Sequence, residues 1–205
     1  NFVRRLVQLE ASIMNKLSRT VAVTGGAGRV GRLVAANLSA AGHRVRILDL
    51  PTADFSGLES QGIYAGDIND RDYLTSALED ADVVIHLAAL LPPIAAENPE
   101  LTHRINVQGT KDVLDIMDSV SLNGLLVFSS SVVVYGNTQH LQPPIGTETP
   151  LRGTGIYAET KIAAEDAILD AGRPAVILRI SGVSVPDFLL PPEVWPFTAK
   201  QRMEF

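Results

Sequence analysis

A glycine-rich segment, Thr24-Gly25-Gly26-Ala27-Gly28-Arg29-Val30-Gly31, is the most informative part of this sequence. It follows a short apolar run at residues 20–24 and precedes an apolar-periodic stretch at residues 30–41, which ends at Gly42. A glycine turn between a strand and a helix lets the backbone approach a pyrophosphate, and the helix N-terminus favours the negative charge. Glycines alone are also typical of ordinary turns, but this position between a strand and a helix predicts a dinucleotide site.

Strands and helices alternate along the rest of the chain. We predict further strands at residues 44–48, 62–65, 82–87, 125–129 and 175–180, and helices at residues 71–78, 98–119 and 157–171. The continuous apolar run at residues 82–87 is typical of a strand that is buried on both faces of a parallel sheet. The alternation therefore predicts an α/β fold with a doubly wound parallel sheet.

Three segments divide the chain. Residues 1–18 are predicted to form an N-terminal helical extension, because apolar side chains recur every three or four positions at Phe2, Leu6, Leu9, Ile13 and Leu17. A transit peptide is the alternative, and Glu10 disfavours it. Residues 19–182 are predicted to form the nucleotide-binding domain. Residues 183–205 contain four prolines and are interpreted as a connecting segment towards a substrate lobe that is largely missing, so we expect a longer polypeptide.

The composition narrows the classes of function. The chain has 205 residues, a formal net charge of −6 and no cysteine. An acidic chain without a basic block is a poor partner for nucleic acid. The lack of cysteine excludes disulfides and thiolate metal sites, and the four histidines have no metal-binding spacing. No apolar run reaches the roughly 18 residues that span a bilayer. We expect a cytoplasmic protein without a metal, membrane or nucleic-acid partner.

Two acidic residues lie where a dinucleotide needs polar contacts. Asp49 ends the second predicted strand, where a carboxylate binds the adenosine ribose and repels a 2′-phosphate, which favours NAD over NADP. Arg46 is close enough in sequence to serve a phosphate, so NADP stays open. Asp67 and Ile68 follow the third strand and offer one polar and one apolar contact to an adenine. Asp49 and Asp67 are otherwise ordinary turn residues.

A second motif carries reactive groups. Tyr157 and Lys161 are four residues apart in Tyr157-Ala158-Glu159-Thr160-Lys161, so they share one face of a predicted helix. A nearby ammonium and a positively charged nicotinamide favour a phenolate, which makes proton transfer with an alcohol feasible. Ser131 lies 26 residues earlier, at the end of a strand, where ligands bind in this architecture. A Tyr-x-x-x-Lys motif alone is more often a pair of surface residues without a catalytic role.

Taken together, these motifs resemble the extended short-chain dehydrogenases/reductases, which include the NAD-dependent epimerases and dehydratases of nucleotide sugars. The resemblance covers about residues 20–186, in order and with compatible spacing. It rests on residues 24–31, Asp67, His86-Leu87-Ala88-Ala89, Asn106-Val107-Gln108-Gly109-Thr110, residues 129–136, residues 157–161 and Leu178-Arg179. It implies a Rossmann-like fold that binds NAD, with NADP as the other candidate cofactor.

The resemblance also implies a cofactor-binding set. Its members are Gly25, Gly28, Arg29, Val30 and Gly31 at the pyrophosphate, Asp49 at the ribose, Asp67 and Ile68 at the adenine, Leu87, Ala88 and Ala89 beneath the cofactor, and Asn106, Tyr157 and Lys161 on the nicotinamide side. An alternative for Asn106 is a helix residue that bonds locally.

Three residues are implied as the catalytic set. Tyr157 is the expected acid/base, Lys161 is expected to bind the nicotinamide ribose and tune Tyr157, and Ser131 is expected to hydrogen-bond the reacting oxygen. His86 is interpreted as a structural residue at a strand end rather than a catalyst.

The implied function is NAD(P)-dependent oxidoreduction of a small-molecule secondary alcohol or ketone, with a nucleotide-sugar or sugar-like substrate. Gly182 stands where a substrate-contacting Asn is common in the family, so a simple dehydrogenase or reductase of a small carbonyl compound is the alternative. A non-catalytic cofactor-sensing protein is disfavoured, because such proteins typically lose the Tyr or the Lys. A homodimer is left open as the assembly.

Overall fold

The computed structural model describes residues 18–120 and 122–181. Its strands are β1 (Thr20–Thr24), β2 (Arg44–Asp49), β3 (Gly62–Ala65), β4 (Val83–His86), β5 (Leu125–Ser131) and β6 (Ala175–Ile180). Every strand that the sequence predicts is present, and no boundary moves by more than two residues. The predicted N-terminal extension, Gly182 and the connecting segment at 183–205 lie outside the described residues, apart from Ser18.

The helices are α1 (Arg29–Ala40), α2 (Arg71–Leu78), α3 (Ile94–Glu97), α4 (Pro99–His103), α5 (Gly109–Ser119) and α6 (Ile156–Asp170). Local sequence explains where some of them begin. The Asp70 side chain accepts hydrogen bonds from two backbone amides of the first turn of α2. The Asn98 side chain does the same for one amide of α4, and Pro99 occupies its first position.

The predicted single helix at residues 98–119 is wrong in one respect, because it is interrupted. A π-helical turn (Arg104–Gln108) separates α4 from α5. Within this turn the Asn106 side chain bonds both the N–H and the C=O of Leu90, at 2.7 and 3.1 Å. These long-range bonds accompany the local departure from α-helical geometry, and a helical pattern in the sequence does not reveal them.

The strands form one parallel sheet in the order β3-β2-β1-β4-β5-β6. Val23 of β1 pairs with Ile47 of β2 on one side and with Ile85 of β4 on the other. Strands β2 and β3 are added on one side of β1, and strands β4 to β6 on the other. This reversal of the strand order leaves a crevice at the carboxyl ends of β1 and β4. The predicted α/β class with a Rossmann-like parallel sheet is confirmed.

Two hydrophobic clusters cover the two faces of the sheet. Helices α2, α5 and α6 supply Leu74, Val113 and Ile168 to the larger cluster. Helix α1 supplies Ala35 to the other, which also contains Val23 of β1. All five residues of β1 are buried. The central strand is therefore held on both faces, and its carboxyl end is fixed relative to the turn that follows it.

Candidate active site

A cleft of about 650 Å³ opens at the carboxyl ends of β1, β2 and β4. Every residue predicted to bind the cofactor lines it, except Asn106, Tyr157 and Lys161. The sequence did not single out eight further lining residues, which are Leu48, Leu50, Gly66, Tyr73, Leu74, Leu90, Leu91 and Ile105. Leu50 follows directly after β2, and Leu90 and Leu91 lie in the segment after β4, so their place after a buried strand was the available signal.

The glycine turn is packed so tightly that three of its glycines, Gly25, Gly26 and Gly31, have no room for a side chain. Gly25 has φ +65°, and a Cβ there would lie 2.8 Å from the Ala88 nitrogen. A Cβ on Gly31 would lie 2.5 Å from the Gly25 carbonyl oxygen. Gly28 differs, since the one contact of its Cβ within 4 Å would be the Gly25 oxygen at 3.1 Å. Gly25, Gly28 and Gly31 all line the cleft, but only at Gly28 does the packing leave space for a small side chain.

The start of helix α1 faces the cleft without a side-chain cap. Gly28 is its N-cap residue and, as a glycine, supplies no side-chain cap to the first turn. Arg29, Val30 and Gly31, the first three residues of the helix, all line the cleft. An uncapped helix N-terminus with backbone N–H groups towards a cavity is suited to an anion such as a pyrophosphate.

Asp49 is fixed beside this turn. One carboxylate oxygen accepts a hydrogen bond from the Ala27 amide at 3.0 Å, and the other accepts one from the Leu50 amide at 2.8 Å. The carboxylate therefore lies at the lip of the cleft with defined orientation, and each oxygen retains further acceptor capacity. The contact of Asp49 with a ribose stays a prediction.

Arg46 points elsewhere. Its guanidinium donates to the carbonyl oxygens of Ala77 and Glu79 at the C-terminal end of α2, and it lies 5.6 Å from the centre of the Tyr64 ring. These carbonyls carry the negative end of the helix dipole, which the cation stabilises. Arg46 does not line the cleft, so the structure gives no support to the alternative that it serves a 2′-phosphate.

The segment after β4 forms the floor of the cleft. Leu87, Ala88, Ala89 and Leu90 all line it. Asn106 lies behind this floor and is 2% exposed. Its amide also donates to the Thr160 hydroxyl of α6 at 3.1 Å. The side chain of Asn106 therefore bonds to distant elements, not locally, and it joins the floor to the helix that carries Tyr157.

Ser131, Tyr157 and Lys161 come from β5 and α6, which pack against each other. Lys161 as a whole is 2% exposed, and its ammonium donates a hydrogen bond to the Ser129 carbonyl at 2.7 Å. It lies 5.9 Å from the centre of the Tyr157 ring. The Ser131 hydroxyl accepts a long hydrogen bond of 3.4 Å from the Val133 amide. The structure thus brings the three predicted residues to adjacent elements without a direct bond among them.

Burial governs the titration of both catalytic candidates. Burial raises the pKa of Tyr157. It lowers the pKa of Lys161 to about 8, and the negative charge of Glu165 opposes that effect. Desolvation of the phenol thus acts against the phenolate that the ammonium and a positively charged nicotinamide together are expected to favour.

Glu165 is a buried carboxylate that the sequence reasoning missed. Arg179 of β6 donates to both of its oxygens, with the shortest distance 2.7 Å, and the Ser130 hydroxyl donates to it as well. Arg179 also donates to the Tyr135 hydroxyl at 2.9 Å. Glu165 follows Lys161 by four residues, as Lys161 follows Tyr157. That spacing on one helix face was the signal that could have found it.

The fold and the cleft define a class of protein, the doubly wound α/β proteins with the crevice of a dinucleotide-binding domain. A family profile described as the NAD dependent epimerase/dehydratase family matches residues 21–188. The chain belongs to this family. The predicted membership is confirmed.

Relatives of more than one activity match the chain. A UDP-glucose 4-epimerase of Streptomyces lividans is 35% identical over 172 residues, which cover 81% of this chain and 50% of the relative. The human sterol-4-alpha-carboxylate 3-dehydrogenase, decarboxylating, is 29% identical over 74% of this chain and 40% of its own length. The chain thus spans about half the length of the curated relatives it matches.

Among solved structures, a UDP-glucose 4-epimerase from Brucella ovis in complex with NAD superposes with a TM-score of 0.76 and 30% identity, over 83% of this chain and 54% of that one.

Among the residues that the structure describes, no helix is long and apolar enough to cross a membrane. Residues 18–120 and 122–181 contain no group of three or more His, Cys, Asp or Glu side chains that could hold a metal ion.

Proposed function

We propose that the protein is an NAD-dependent oxidoreductase that acts on a secondary alcohol or the corresponding ketone. The single observation that carries the proposal is that the glycine-turn cleft and the Tyr157–Lys161 face of α6 meet at one edge of the sheet. The Asn106 side chain links the two, since it bonds both Leu90 of the cleft floor and Thr160 of α6. The nucleotide-binding domain in this proposal comprises residues 19–182.

The described residues fit a dinucleotide. The uncapped start of α1 offers backbone N–H groups to a pyrophosphate, and Gly28 leaves room for its approach. Asp49 is oriented to accept hydrogen bonds from a ribose, and Asp67 with Ile68 lines the far end of the cleft. Repulsion between Asp49 and a 2′-phosphate supports NAD over NADP.

The catalytic assignment follows from what each side chain can do. NAD, when bound, supplies the acceptor for a hydride. The Tyr157 oxygen takes the proton of the substrate hydroxyl, or returns it in the reverse direction. The buried Lys161 ammonium supplies positive charge beside Tyr157, and its bond to Ser129 holds it against β5. The Ser131 hydroxyl orients the reacting oxygen through a hydrogen bond.

Within this class, the relatives differ in substrate, and we propose a nucleotide sugar or sugar-like compound as the first candidate. One observation favours a second candidate, a dehydrogenase of an apolar alcohol. Val132 and Val133 follow Ser131 directly and are 37% and 41% exposed. A sugar would leave its hydroxyls unpaired against these side chains, whereas an apolar ring system would bury them.

The cofactor proposal is tested by calorimetric titration of NAD into this chain. We expect saturable binding, with weaker binding by Lys161→Met and unchanged binding by Lys111→Met, which removes an exposed lysine from α5. No binding by the unmodified chain at NAD concentrations on the order of 1 mM would overturn the proposal. A parallel titration with NADP measures the selectivity.

Turnover is tested on the longest natural form of the polypeptide. NADH formation is followed with UDP-sugars and with hydroxysteroids, and epimerisation is followed by separation of the sugars. Activity on an apolar alcohol alone would select the second candidate.

We propose a cytoplasmic location, which the absence of cysteine supports. A homodimer is the assembly we propose, and sedimentation of the same preparation tests it.

A further inference from the structure

His86 is a completely buried imidazole that the proposed reaction does not use. It ends β4 and has 0% exposure. Its Nδ1 lies 2.7 Å from the Thr24 hydroxyl of β1, and its Nε2 lies 3.0 Å from the Thr110 hydroxyl of α5. The ring therefore bridges the strand that precedes the glycine turn and the helix that follows the π-helical turn.

The hydrogen bonds around the ring fix its tautomer. Thr110 donates its hydroxyl proton to the Asn106 carbonyl at 2.7 Å, so towards His86 it can only accept. Nε2 must then carry the imidazole proton. In a neutral ring Nδ1 is consequently an acceptor, which receives the Thr24 hydroxyl proton. The Thr24 oxygen in turn accepts a hydrogen bond from the Ala88 amide at 3.2 Å.

The neutral state of the ring follows from its surroundings. Burial lowers the pKa of His86 to about 3, and the positive charge of Lys161 acts in the same direction. Neither ring nitrogen has a carboxylate partner among the bonds described above, as both face threonine hydroxyls. The single-tautomer arrangement thus persists at neutral pH.

The chain of bonds continues from the π-helical turn to the catalytic helix. The Asn106 amide holds the Leu90 backbone and donates to the Thr160 hydroxyl. Thr160 donates its own proton to the Tyr157 carbonyl at 2.9 Å. Each hydroxyl in this path is both donor and acceptor, and the side chains of Thr24, Thr110 and Thr160 belong to buried residues. Fully satisfied buried networks of this kind hold their elements rigidly.

We propose that His86 is a positioning residue. Its Nε2-protonated ring couples the floor of the cleft, at Ala88 and Leu90, to the first turn of the helix that carries Tyr157. The proposal rests on the proposed function for its purpose, but not for its geometry. The ring acts through Thr24, Thr110 and Asn106 and does not itself line the cleft. Its loss loosens both the floor of the cleft and the support of Tyr157.

Amide hydrogen exchange of this chain tests the coupling directly. Thr110→Val removes the hydroxyl that receives the Nε2 proton, and Thr110→Ser keeps it. We expect Thr110→Val to speed exchange at Leu90 and Ala88 by about tenfold, as for the loss of a hydrogen bond of roughly 1.4 kcal/mol. Thr110→Ser should restore most of the protection. The Asp82 amide, which bonds the Thr20 carbonyl at the opposite end of the strands, is the internal control and should not change.

Two further measurements complete the test. The ¹⁵N shifts of the His86 ring should report the proton on Nε2, and His86→Leu should weaken NAD binding in the same direction as Thr110→Val. A proton on Nδ1, or equal acceleration at Leu90 and Asp82, would overturn the proposal, because the latter indicates only a global loss of stability. If the unmodified chain binds no NAD, the proposed function fails while the exchange experiment still decides whether the coupling exists.

Discussion

The two halves of the site differ in what holds their functional groups. Around the glycine turn, position is set by backbone: Gly25 and Gly31 exclude any side chain, and Asp49 is held by two backbone amides. On α6 and β5, position is set by side chains that reach other elements, as Lys161 does to the Ser129 carbonyl. The first half can be recognised locally in a sequence, whereas the second depends on tertiary contacts.

The same contrast governs electrostatics. The glycine-turn half uses backbone dipoles at the uncapped start of α1, which stay in place whatever the pH. The reactive half uses titratable groups whose charge states depend on burial, with the pKa of Tyr157 raised and that of Lys161 lowered. Substitutions in the first half should therefore change cofactor affinity, and substitution of Tyr157 should change turnover, whereas Lys161 is expected to affect both.

The largest expected effect separates these two outcomes. Tyr157→Phe removes the transferable proton but little of the cleft, so we expect turnover of the longest natural form to fall by about 10² or more. NAD affinity should stay within about twofold, because only the hydroxyl is lost. Steady-state kinetics and calorimetry on one preparation measure both. Retention of near-normal turnover would mean that another group is the acid/base.

The next effect tests the division within the glycine turn itself. Gly31→Ala places a Cβ 2.5 Å from the Gly25 oxygen, and overpacking of this kind costs about 1–3 kcal/mol of unfolding free energy. Gly28→Ala has only one contact, at 3.1 Å, and is expected to cost less than about 1 kcal/mol while it weakens NAD binding. Urea unfolding and NAD titration compare the pair. Equal losses of stability would contradict the separate roles of the two glycines.

How far the sequence predicts the molecule follows the same division. The strand at residues 20–24 and the turn after it were predictable because their signals are local: an apolar run, glycines and a helical period. The π-helical turn and the buried Glu165 were not, since each depends on a distant partner, namely the Leu90 backbone and Arg179. The direction of the Tyr157 pKa shift was also beyond the sequence, because it reflects burial.

A third effect concerns His86, the residue that we propose couples the two halves of the site. The pKa of His86 is about 3 in the folded chain against a reference of 6.5, so between these pH values the unfolded chain binds a proton that the folded chain does not. The free energy of unfolding must therefore fall as the pH drops below 6.5. Between pH 7 and pH 5, His86 lowers it by about 2 kcal/mol.

His86→Gln cannot titrate and provides the reference for that slope. Urea unfolding at both pH values should give a smaller decrease for His86→Gln than for the unmodified chain, and the difference isolates His86 from other titrating groups. Identical decreases in the two proteins would mean that His86 is protonated in the folded state, and the neutral bridge between the two halves would be wrong.

The smallest expected effect sharpens the cofactor half. Asp49→Asn keeps the size of the side chain and an oxygen that can accept from the Ala27 amide, but it removes the charge that repels a 2′-phosphate. We expect the ratio of NADP to NAD dissociation constants to fall by about tenfold, or 1.4 kcal/mol. Arg46→Met is the matched control, because Arg46 binds the end of α2 and should leave that ratio unchanged. If instead Arg46→Met lowers NADP affinity and Asp49→Asn does not raise it, the arginine reaches the cleft on binding, and the backbone-held carboxylate is not what selects the cofactor.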